Sequence, residues 1–89
     1  MALKLKEWNE KDPNDKSYNI DGSRCKHLAS QTNTDRSVEW DANLKREDYK
    51  KLDGNPYTFF TRTQWKGFGR NIDVILIKDD DEIHLYEIL

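Results

Sequence analysis

Apolar and polar positions change period several times along the 89-residue chain. Near the start, Leu3 and Leu5 alternate with Lys4 and Lys6 up to Trp8, the period of two expected of a half-buried strand. Residues 12–15, Asp-Pro-Asn-Asp, predict a turn, because proline fixes φ and Asx side chains bond to neighbouring backbone amides. Tyr18 and Ile20 repeat the period briefly and stop at Asp21 and Gly22, so a short second strand is expected. Between residues 24 and 29 only Cys25, Leu28 and Ala29 are suited to burial, and residues 30–37 are almost wholly polar. This stretch reads as a mobile loop with at most one helical turn.

Helix signals follow. Asp41 or Asn43 supplies an N-cap, Glu47 and Asp48 fall in the early turns, Lys50 and Lys51 fall near the end, and Gly54 with Pro56 closes the segment. Leu44, Asp48 and Leu52 lie on one line, flanked by Tyr49, so the apolar stripe is narrow. The clearest strand comes next: Tyr57, Phe59, Thr61, Thr63 and Trp65 alternate with Thr58, Phe60, Arg62 and Gln64. Gly67 and Gly69 offer positive φ for a connection. Residues 72–77 then follow, with Val74, Ile75, Leu76 and Ile77 apolar on both faces, as in a central strand. After a turn at residues 78–81, Ile83, Leu85 and Glu87 alternate with His84, Tyr86 and Ile88. Three consecutive strands joined by short turns make an antiparallel meander. The expected fold class is α+β: this C-terminal meander, an N-terminal strand at the sheet edge and one short helix on one face.

Composition changes the picture in two ways. A chain of this length supports one domain, residues 1–89, and one core. Hydrophobic residues are only 35% against 36% charged, so the ten aromatics carry a large part of that core, each burying about 150–250 Å². The single Cys25 has no partner for an internal disulfide, and no apolar run suits a bilayer span or signal-peptide core, so a cytoplasmic, non-membrane protein is expected. One cysteine and two histidines, His27 and His84, are too few and too widely spaced for a closed zinc site, so neither metal nor cofactor is expected.

Charge is segregated. Residues 1–56 carry eleven basic and eleven acidic side chains, residues 57–70 carry Arg62, Lys66 and Arg70 without an acid, and residues 71–89 carry six acids against Lys78. Opposed local fields of this kind pair internally or face a charged partner.

The basic and aromatic interleaving of residues 57–70 is one candidate chemistry, since rings stack on unpaired bases while cations meet phosphates. Lys66-Gly67-Phe68-Gly69 matches the opening of the RNP1 signature, but Arg70 and Asn71 stand where an aromatic and a strand hydrophobe are needed. A metal-dependent nuclease centred on Asp73 and Glu87 lacks the lysine two residues past the glutamate, where Leu89 stands. A metal-free ribonuclease would draw on His27, His84, Tyr86, Arg62 and Arg70. Cys25 sits between Arg24 and Lys26 with no other mark of a nucleophile.

No complete catalytic set emerges, so the expected function is a small stoichiometric protein-binding module of inhibitor, immunity or adaptor type, not an enzyme. Its larger protein partner meets an aromatic and charged surface built from Trp65, Lys66, Phe68, Arg70, Arg62, Trp8 and Trp40. Binding of single-stranded nucleic acid through residues 57–70 is the alternative, and ribonuclease activity the third.

Overall fold

The computed structural model describes residues 6–7, 18–52, 54, 56–67 and 69–89. Trp8, Phe68 and the turn expected at residues 12–15 lie outside them, as does most of the expected first strand. Its described remnant, β1 (Lys6–Glu7), pairs antiparallel with β3 (Ser23–Thr32) at the sheet edge. β2 (Tyr18–Ile20) forms a hairpin with β3 through Asp21 and Gly22, both at positive φ. After α1 (Ser37–Asp41) and a 3-10 turn at Arg46–Asp48 come β4 (Lys50–Lys51), β5 (Phe59–Gly67), β6 (Arg70–Lys78) and β7 (Glu82–Ile88). The strands form one curled antiparallel sheet in the order β1-β3-β7-β6-β5-β4, with β2 beside β1 on β3.

The meander β5-β6-β7 is built from the period-two run and the doubly apolar run that follows it. Phe59 to Gly67 faces Lys78 to Arg70 without interruption, and β6 is enclosed between β5 and β7. Val74, Ile75 and Leu76 are fully buried, which requires cover on both faces of the sheet. On one face α1 inserts Val38 against Trp65, Ile72, Val74, Leu76, Ile83 and Leu85. On the other, the curl of the sheet brings Ile20 and Leu52 onto Cys25, Phe60 and Ile75.

Two expectations are corrected. The segment read as polar loop is the ten-residue strand β3, paired along β7. Cys25 and His27 face the side of Tyr86 and Ile88, but a β-bulge between His27 and Ala29 then turns Ala29 and Gln31 toward Ile83 and Leu85. One extra residue inverts the alternation, and the buried positions Ala29, Ser30 and Gln31 are small or polar.

The helix expected from Asp41 or Asn43 to Gly54 is the second. The helix lies earlier, at Ser37–Asp41, where Asp35 Oδ1 accepts bonds from the Ser37 amide at 3.3 Å and hydroxyl at 2.6 Å. Asn43, at φ 55°, ends it. Asp48 Oδ2 then accepts from the Lys45 amide at 2.7 Å, tightening the chain into the 3-10 turn before β4. A stripe of Leu44, Tyr49 and Leu52 anchors irregular backbone as readily as helix, and the local Asx bonds decide for the turn.

The glycines of the β5–β6 connection divide their work. Gly69 has the positive φ, at 75°. Gly67 instead lies within β5 under the Trp65 indole, where a Cβ would overlap the ring.

Candidate functional site

Exposed aromatics gather at one end of the β5–β6 hairpin. Phe59 opens β5 opposite Lys78, which closes β6. Tyr57 precedes β5, and Trp40 stands on the outer side of α1, whose Val38 and Glu39 are buried. Trp40 is 66% exposed, Tyr57 69% and Phe59 39%. All three line an open groove of about 670 Å³, together with Tyr49, Leu44, four cations and three acids. That size is typical of small ligand pockets and of the anchor pockets at interfaces.

Glu39 lies at the base of the groove. It is only 5% exposed, and a buried carboxylate is stable only when paired. Its Oε1 is 3.5 Å from Lys78 Nζ and 3.8 Å from Arg36 Nε, so two cations share one anion. The Lys78 ammonium also lies 5.2 Å from the centre of the Tyr49 ring, within cation–π range. Tyr49 Oη is buried and makes no well-formed hydrogen bond among the described residues. Burial first, and then the negative charge of Glu39, push its pKa above the ordinary phenol range. The Lys78–Glu39 pair therefore ties α1 to the end of the sheet and holds Trp40 above the groove.

The rim is fixed from two sides. Asn33 donates its amide to Asp81 O at 2.9 Å and its side-chain nitrogen to Asp80 O at 3.4 Å, linking the β3–α1 connection to the β6–β7 turn. In that turn Asp79 Oδ1 accepts from the Asp81 and Glu82 amides at 2.8 and 2.6 Å. The acidic run at residues 79–82 is a capped turn whose Asp79 and Asp80 border the groove.

Among the described residues, the binding side chains expected from sequence do not converge. Trp65 is a correction: it is fully buried in the helix-side core, so its ring is not part of an accessible surface. The alternation that made it a strand residue also sends it to the same face as Ile72 and Val74. Arg62 and Lys66 are exposed on the opposite face of β5. Arg70 heads β6 and lies 3.9 Å from Glu87. Trp8 and Phe68 are outside the described residues. Of the five that are described, only Trp40 belongs to the groove, and it is joined by Tyr57, Phe59 and Tyr49. Sequence reasoning placed Tyr57 and Phe59 on a strand but had no signal for which strand end stays uncovered.

The histidines are brought together. His27 lies opposite Tyr86 with ring centres 4.8 Å apart, and His84 is 5.7 Å from His27. His27 is only 5% exposed, and burial pushes the Tyr86 phenol above its ordinary range. An acid–base pair needs access to substrate, and this arrangement is a packed aromatic row completed by Tyr18, 5.5 Å from Tyr86. Burial likewise pushes the Cys25 thiol up, with Arg62 opposing it, which favours the inert thiol over the thiolate. Among the described residues, no cluster of histidine, cysteine and acidic groups is arranged to hold a metal ion, and no helix is long and apolar enough to cross a membrane.

Comparison of the chain with protein-family models, with curated proteins and with solved structures returns no match, so any reading of the groove stands on its own chemistry.

Proposed function

We propose that this chain is a small stoichiometric protein-binding module of the inhibitor or adaptor kind, and that the groove bordered by Trp40, Tyr57 and Phe59 is its binding surface. The observation that carries the reading is the clustering of exposed rings: three of the four large hydrophobic side chains exposed among the described residues line one groove. Single exposed hydrophobics are ordinary, but grouped ones mark interaction sites. Trp, Tyr and Arg dominate interface hot spots, and all three types meet here with a polar rim.

The test is a nuclease-treated pull-down from host lysate with the wild-type chain and with Trp40→Ala as baits. One dominant protein at near-equal stoichiometry with the wild type, lost or weakened by roughly thirtyfold in Trp40→Ala, is the expected result for a hot spot of about 2 kcal/mol. Recovery of nothing, or a partner indifferent to Trp40, would sink the reading. Retention of RNA that is released by moderate salt would move the assignment to the nucleic-acid alternative.

A further inference from the structure

We infer that the segment gripped by this groove is acidic and built around one large apolar side chain; the inference rests on the groove being a protein-binding surface. Part of the polar capacity around the groove is already engaged within the fold. Glu39 is held by Lys78 and Arg36, so the groove base carries one more cation than anion. The hydrogen-bonding capacity of Asp79 Oδ1 is directed to two backbone amides of its own turn. Asp48, beside the groove, is turned to the Lys45 amide. The side chains of Lys45 and Arg46 line the groove next to Tyr49, are exposed, and make no ion pair among the described residues. Arg36 is 52% exposed at its side chain and shares its only carboxylate with Lys78.

Three cations are thus presented to a ligand around Trp40, Tyr57 and Phe59, and Asp80 is the acid with least engagement in the turn. An acidic residue on the partner meets Lys45 and Arg46 while a large apolar side chain fills the space between the rings. A basic segment would instead add to an unbalanced positive charge at the groove base, where the carboxylate is already bound.

The test uses the full chain and short labelled peptides with a central Phe, flanked by Asp, Ser or Lys, with binding read by fluorescence anisotropy. The Asp peptide should bind tightest, by about three- to tenfold over the Ser peptide, since each exposed ion pair contributes about 0.2–1 kcal/mol. High salt should erase that preference, and the double variant Lys45→Glu, Arg46→Glu should invert it toward the Lys peptide. Equal affinities, a wild-type preference for Lys, or no binding of any of the three would overturn the inference. So would tighter binding of a labelled oligouridylate that Trp40→Ala abolishes. The two readings fail separately. A captured partner that needs Trp40 but ignores the charge reversal leaves the groove standing and removes the acidic ligand, whereas a partner indifferent to Trp40 removes the groove itself.

Discussion

The two ends of the β5–β6 hairpin both combine aromatic and basic residues but differ in how far their rings are exposed. At the turn end, Trp65, Gly67 and Arg70 surround the connection; at the open end, Phe59 faces Lys78 and Tyr57 lies just before it. The ends are about 26 Å apart along the strand at the usual rise per residue. Both combine aromatics with cations, yet at the turn end the aromatic is sealed into the core and at the open end the rings are exposed. What differs is the cover. Gly67 lets the Trp65 indole fold down over β5, with Val38 of α1 closing the same cluster, whereas Trp40 and Glu39 at the other end frame a groove instead of filling it. An aromatic–basic strand therefore does not by itself present its rings to solvent; only the end left uncovered does.

The comparison is broken most strongly at the buried ring. Trp65→Ala removes the largest fully buried side chain and should cost about 3–5 kcal/mol, read as a lower urea midpoint, a large part of the stability of so small a domain. Gly67→Ala attacks the same ring from below. A methyl group there forces the indole to move and should cost about 1–3 kcal/mol, although alanine is otherwise acceptable in a strand. If Gly67→Ala proved neutral, the packing of Trp65 over β5 would be wrong.

At the open end, Lys78→Met leaves the buried Glu39 with Arg36 alone. Because Lys78 is partly exposed and a second cation remains, the loss should be about 1–2 kcal/mol, below that of breaking a fully buried pair. The same variant should release α1 and weaken partner binding, whereas Glu39→Gln with Lys78→Met should recover part of the stability.

The smallest effect is set by pH. The Tyr49 phenol has a raised pKa in the folded chain, so the folded state holds this proton more tightly than the unfolded state. Its contribution is fully present below the ordinary tyrosine pKa of about 10 and is lost as pH rises from there through the higher folded value. Urea midpoints measured across the alkaline range should fall less steeply for Tyr49→Phe than for the wild type. Cys25 and Tyr86 shift in the same direction and leave a residual slope in the variant.

How legible each end was follows from the same physics. The meander was readable because period two, β-branched residues and a doubly apolar central strand agree with one another. β3 was hidden by its bulge: Cys25 and His27 keep one phase, Ala29 and Gln31 the other, so no uniform alternation runs through it, and its buried Gln31, Ser30 and His27 look polar in any hydrophobic count. The helix starts earlier than expected because Asp35 bonds locally to Ser37 while Asp48 closes a tighter turn, and the two Asx signals are alike in sequence. As for the site, Trp40 was legible as a candidate surface aromatic, but its grouping with Tyr57, Phe59 and the Glu39–Lys78 pair joins positions far apart in the chain. No local pattern records it.

The most direct test sets the two ends against each other in one capture experiment. Baits carrying Trp40→Ala at the groove, or Lys66→Ala with Arg70→Ala at the turn, are compared with the wild type after urea midpoints show each to be folded. Neither change touches the core, so stabilities should stay within about 0.5 kcal/mol. Loss of the partner with Trp40→Ala and its retention with the turn-end variant is the predicted result. Retention with Trp40→Ala and loss with the turn-end variant would place the binding surface at the other end of the hairpin and contradict the account.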